Sequence, residues 1–70
     1  MHKADKAWIT EKLKKLPNPM MRQSTLIKYN EAFKQAYESE PLQHRKEGKG
    51  RSFANNKLRI YVETILERIR

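Results

Sequence analysis

Cysteine is absent from this 70-residue chain. That excludes a disulfide framework, Cys-ligated zinc, iron–sulfur clusters and thiol catalysis, and it leaves the redox compartment open. Long apolar runs are absent as well, so no stretch is expected to cross a membrane. No apolar segment follows the N-terminal lysines, so no secretory signal is expected and the chain reads as cytosolic. Acid is scarce: 8 Asp+Glu stand against 16 Lys+Arg, a formal net charge of +8. Such a surplus repels itself in a compact state, and an anionic partner or salt relieves the repulsion. Histidine is limited to His2 and His44. Neither has a serine or carboxylate at an informative spacing. Glu63 and Glu67, with Arg59 and Arg70 nearby, read as surface ion pairing of small energetic worth. The remaining acids are scattered. The expectation is therefore a non-enzyme with no metal, no cofactor and no small-molecule substrate.

What remains is a short chain that is 37% hydrophobic and 34% charged. One domain spanning 1–70 is the limit at this length. A core of this size seldom supplies more than roughly 3–5 kcal/mol. With no covalent staple, stability must come from well-packed helices or from self-association.

Three stretches carry helical periodicity. In the first, about 4–16, Ile9, Leu13 and Leu16 fall at i, i+4 and i+7. Asp5 and Glu11 precede Lys12, Lys14 and Lys15, an order that suits the helix dipole. Pro17 ends the stretch. Asn18 is a candidate N-cap for the second helix, 19–39, with Pro19 at its first position, where a missing N–H costs nothing. Leu26, Tyr29, Phe33, Ala36 and Tyr37 share one face of it. Ser24 or Thr25 offers an alternative internal cap, which would leave Met20 to Gln23 as a separate turn. Pro41, Gly48, Gly50 and dense charge mark 40–51 as a basic loop, with a short turn capped by Ser39 as an option. Ser52 is the candidate N-cap of the third helix, 52–69. Its broad apolar face is Ala54, Leu58, Tyr61, Val62, Ile65, Leu66 and Ile69. No segment alternates with period two, and no repeat appears. The fold expected is all-α: a small three-helix arrangement, a helical hairpin plus a long C-terminal helix, either monomeric or dimeric.

Residues left over from the core suggest surfaces. Phe53 and Ile60, seven apart, lie roughly opposite the core face of the third helix; Ile27 lies off the seam of the second. Either Phe53 tucks under the helix start while Ile60 is an isolated exposed residue, or both belong to a partner or dimer contact. Trp8 lies beside the first stripe with Lys12 and Lys15 at i+4 and i+7. Either its indole covers the core edge, or it forms an aromatic platform for a nucleobase, flanked by ammonium groups.

The stretch His44-Arg45-Lys46-Glu47-Gly48-Lys49-Gly50-Arg51-Ser52 is the main functional candidate. Arg45, Lys46, Lys49 and Arg51, next to free N–H groups at a helix start, would suit phosphate. The competing reading is a solvated loop whose charge aids solubility. The spacing of a Walker loop is missing. A helix-turn-helix is disfavoured by the long second connection, and Arg22 and Gln23 are the only plausible base readers at the start of the second helix.

Tyr29, Ala32, Ala36-Tyr37, Glu40-Pro41, His44-Arg45-Lys46-Glu47, Arg51, Ala54-Asn55, Leu58-Arg59 and Val62-Glu63 together resemble short bacteriophage- and prophage-encoded proteins, over about half the chain. The resemblance implies an accessory factor acting in the bacterial cytoplasm on nucleic acid or on host proteins. It brings no functional residue with it. Two functions are thus expected as rivals. One is a nucleic-acid-binding module using Arg45, Lys46, Lys49 and Arg51, with Lys12, Lys15 and Trp8 as a second patch. The other is a protein-interaction module, either a regulator gripping an acidic protein surface or a homodimer through Phe53 and Ile60. Membrane-surface binding is disfavoured, because the polar face of the third helix mixes both signs.

Overall fold

The computed structural model describes residues 3–69, with side chains from Asp5 onward. His2 and Arg70, considered above, lie outside the described residues. The elements are α1 (Lys3–Lys14), α2 (Pro19–Ser39), a 3-10 turn (Gln43–Arg45) and α3 (Lys46–Arg68), with no strand among the described residues. The fold is all-α with three helices, as the periodicity implies.

Local chemistry accounts for the first two helices. Asp5 lies in the first turn of α1, and Lys12 and Lys14 in its last. Regular helix stops at Lys14, two residues before the expected end. Lys15 and Leu16 instead donate their N–H groups to Lys12 and Leu13 at 3.3 and 3.0 Å, a tightened last turn ahead of Pro17. Asn18 is extended (φ −141, ψ 158) and its side chain accepts from the Met21 N–H at 2.9 Å, while Pro19 opens α2. The cap is thus the expected one. Neither Ser24 nor Thr25 interrupts the helix; Thr25 is buried in mid-helix. Glu40 leaves the helix in extended conformation, and the Ser39 hydroxyl donates to the Ala36 carbonyl at 2.9 Å.

The start of α3 corrects the expectation. Glycine, proline and dense charge predict a basic loop over 40–51 with helix from Ser52, but α3 begins at Lys46. Ser52 is an exposed mid-helix residue. Arg45 occupies the cap position without a side-chain cap bond, and Glu47 supplies an acid in the first turn. The glycines are not breakers here: neither has positive φ. Gly50 is instead a point of close approach. A Cβ built on it would meet the Phe33 ring at 3.1 Å.

Packing runs up-down-up. Lys46 meets Tyr37, Gly50 meets Phe33, Asn55 meets Tyr29 and Tyr61 meets Lys28, so α2 and α3 are antiparallel. Their contact dominates the fold. Ile9, Leu16, Tyr29, Ala32, Ala54, Leu58 and Val62 form the buried core, with Trp8, Leu13, Met21, Leu26, Phe33, Ile65 and Leu66 packed around it, so the Trp8 indole does cover the core edge. Ile69, expected on the core face, is 49% exposed at the C-terminal end. At about 1.5 Å per residue, α1 is roughly 18 Å long, against more than about 30 Å for α2 and α3. Part of the α2–α3 pair therefore has no third helix on it. The molecule measures 42 × 20 × 16 Å.

Candidate functional site

Helical continuity through 46–51 redistributes the cations expected in a loop. The Arg51 guanidinium donates from Nε to Asp5 Oδ2 at 2.8 Å and from Nη2 to Oδ1 at 3.2 Å, so it clamps α1 to α3. The hydrogen bond to Asp5 is the main reason its pKa is raised further. Lys46 donates to the Tyr37 carbonyl at 3.3 Å and lies 5.4 Å from the Tyr37 ring centroid. Tyr37 in turn stacks on Phe33 at 6.1 Å. Lys49 Nζ is 3.9 Å from Glu40 Oε2, a long contact at a half-exposed ammonium. Arg45 is exposed, with no ion pair among the described residues. Three of the four cations thus have internal partners, with the long Lys49–Glu40 contact the weakest of them, and Arg45 faces solvent.

On α3, Lys46, Lys49, Phe53, Lys57 and Ile60 recur at helical spacing, so two lysines of the basic stretch share a face with the leftover apolar pair. Phe53 is 41% and Ile60 46% exposed. Phe53 does not tuck under a helix start, because the helix begins seven residues earlier. Lys57 Nζ lies 5.5 Å from the Phe53 ring centroid. Sequence reasoning does not single out Lys57 or Lys28, and it places Tyr61 on the core face, whereas Tyr61 is half-buried at the edge of this surface. Their i, i+4 spacing to Phe53 within α3, and the antiparallel pairing with α2, identify them once the helix is known.

Trp8 stands on a different side of α3. With Ser52, Asn55, Asn56 and Arg59 it lines an open groove of about 290 Å³. Lys12 Nζ is 5.7 Å from the indole centroid, as the i+4 spacing suggests. Lys15 is exposed beyond the end of α1 and is not part of this lining. The groove's wall is held in place by a polar network. The buried Tyr29 hydroxyl donates to Asn55 Oδ1 at 2.7 Å, which orients that carboxamide. Burial is the chief cause that raises the Tyr29 pKa; the Asp5 charge adds to it and Arg51 opposes it. Arg59 donates to Asn56 Oδ1 at 2.8 Å rather than pairing with Glu63. An indole, two carboxamides, a guanidinium and an ammonium are thereby gathered in one place. The half-buried indole, packed on the core with Lys12 over its ring, gives the groove aromatic surface; the carboxamides offer hydrogen-bond donors, and the guanidinium and ammonium positive charge.

Among the described residues no group of three His, Cys, Asp or Glu is placed to hold a metal, and no helix is long and apolar enough to cross a membrane. His44 lies exposed in the 3-10 turn. Comparison with protein-family models, curated proteins and solved structures returns no match.

Proposed function

We propose that this chain is a non-enzymatic helical module that binds nucleic acid through its phosphates, with Trp8 as a base-stacking contact. The observation that carries this reading is the Trp8 groove. A part-exposed indole stands beside Lys12, Arg59 and two carboxamides on a molecule of charge +8. Aromatic platforms in positive grooves suit single strands, because every base has a face to stack. Arg45 and Lys49 supply further phosphate contacts from the start of α3, and Lys15 extends the basic patch of α1. Lys46 and Arg51 contribute background charge while holding internal partners. A phage-type accessory role in the bacterial cytoplasm belongs to the same proposal and follows from the sequence resemblance alone.

Trp8 is the single tryptophan, so its emission reports on its own groove. Titration with an unstructured oligothymidine is expected to quench that emission. Trp8→Ala is expected to weaken single-strand binding by roughly 1–3 kcal/mol while barely changing duplex binding. Unchanged emission on a titration that saturates by another probe would remove the stacking role.

A further inference from the structure

Opposite the Trp8 groove, α2 and α3 leave a trough between them. Two adjoining hollows of about 230 and 250 Å³ share Gln35 and Phe53. Ala32 and Ala36 line it from α2; their small side chains keep it open. Phe53 walls it from α3. From Lys49 to Tyr61 it extends along about 18 Å of helix, roughly three turns. Its cations are Lys28, Lys49 and Lys57. Lys28 Nζ sits 5.4 Å from the Tyr61 ring and Lys57 Nζ 5.5 Å from the Phe53 ring, so both ammonium groups are held at the trough. Glu31 is the one acid in the lining, and Glu40 stands 3.9 Å from Lys49.

We propose that this trough receives an acidic amphipathic helix from a partner protein, making a fourth helix against α2 and α3. The argument is complementarity of two kinds. The exposed Phe53 ring and the half-buried Tyr61 ring, above a floor at the buried Ala32 and Ala36, form a small apolar seat for anchors at i, i+3/i+4 and i+7, the pattern by which a helix lies in a groove. Three lysines along the seat stand against Glu31 in the lining and Glu40 beside Lys49, which leaves Lys28 and Lys57 as the surplus that favours carboxylates on the flanks of the incoming helix. A second copy of this chain is the poorer occupant, since it carries +8 itself. A nucleic-acid strand is the rival occupant, since a phenyl ring beside lysines can stack a base, and displacement by oligothymidine in the test below separates the two. The trough is independent of the Trp8 groove, and the two readings stand or fall separately.

The test uses the full chain and a labelled helical peptide as long as α2, with leucine at its anchor positions and glutamate on the flanks. Two further peptides carry glutamine or lysine in place of glutamate. Anisotropy is expected to give saturable binding of the glutamate peptide, at least about tenfold tighter than the glutamine form. Lys28→Glu with Lys57→Glu should reverse the preference toward the lysine peptide. Phe53→Ala should weaken the glutamate peptide by about tenfold. Lys6→Glu with Lys34→Glu makes the same charge change outside the trough and should leave the ranking of the peptides intact. Circular dichroism verifies that each variant stays helical. Four outcomes would overturn the proposal. They are absence of saturable binding, equal affinity for glutamate and glutamine peptides, displacement of the peptide by oligothymidine that is itself weakened by Phe53→Ala, and a concentration-dependent dimer dispersed by the lysine reversals.

Discussion

Two glycines two positions apart do opposite things in α3. Nothing lies within 4 Å of a Cβ added at Gly48, whereas one added at Gly50 meets Phe33 at 3.1 Å. Gly48→Ala is expected to raise stability by about 0.5–1 kcal/mol, the ordinary helix gain. Gly50→Ala should forfeit that gain to overpacking and fall about 1 kcal/mol or more below Gly48→Ala in denaturant titration. Local rules read both residues as loop, because the reason for Gly50 is a ring on another helix. The same holds for Asp5 and Arg51, whose ion pair spans 46 positions of sequence, and for Tyr29 with Asn55. Tyr29 carries a pH signature. Its folded pKa is raised above the ordinary 10.0, mainly by burial. The folded state therefore holds that proton more tightly than the unfolded state. Its contribution to stability is complete below pH 10 and declines as pH climbs through the folded pKa. Tyr29→Phe should flatten the alkaline decline of the melting temperature. It should also lower neutral stability by about 0.5–1.5 kcal/mol through the lost bond to Asn55. An unaltered alkaline profile would contradict the assigned burial.

Among elements, α1 and α2 were legible from Pro17-Asn18-Pro19, because a cap and a fixed φ act within a few residues. The stripes also named most of the core, since period alone tells which side chains share a face. The first six residues of α3 were not legible: charge and glycine masked helix that tertiary contact completes. Proline substitution separates the two descriptions. Were Ser52 a cap or first-turn residue, Ser52→Pro would cost little. In mid-helix it removes a backbone hydrogen bond and clashes with the preceding turn, at about 3 kcal/mol. Loss of that size in thermal or urea unfolding is the expected result. The candidate site divides in the same way. Trp8 and Lys12 share a helix and could be paired by spacing. Asn55, Asn56 and Arg59 join them by docking of α1 on α3, which spacing does not reveal.

For the whole molecule, charge outweighs any single contact. A net +8 on a rod 42 Å long gives a positive field that draws polyanions from a distance and that salt weakens. Phe53 and Ile60 acquire meaning at this scale, as part of a face shared with lysines rather than as stray apolar residues. The slope of log K against log salt for a short duplex, measured by anisotropy, tests the polyanion reading most directly. With about four phosphate contacts, affinity should drop roughly a hundredfold between about 50 and 200 mM salt. Arg45→Ala with Lys49→Ala should reduce the slope by about two contacts. Binding that is absent at the lower salt, or that is indifferent to salt, would contradict the account.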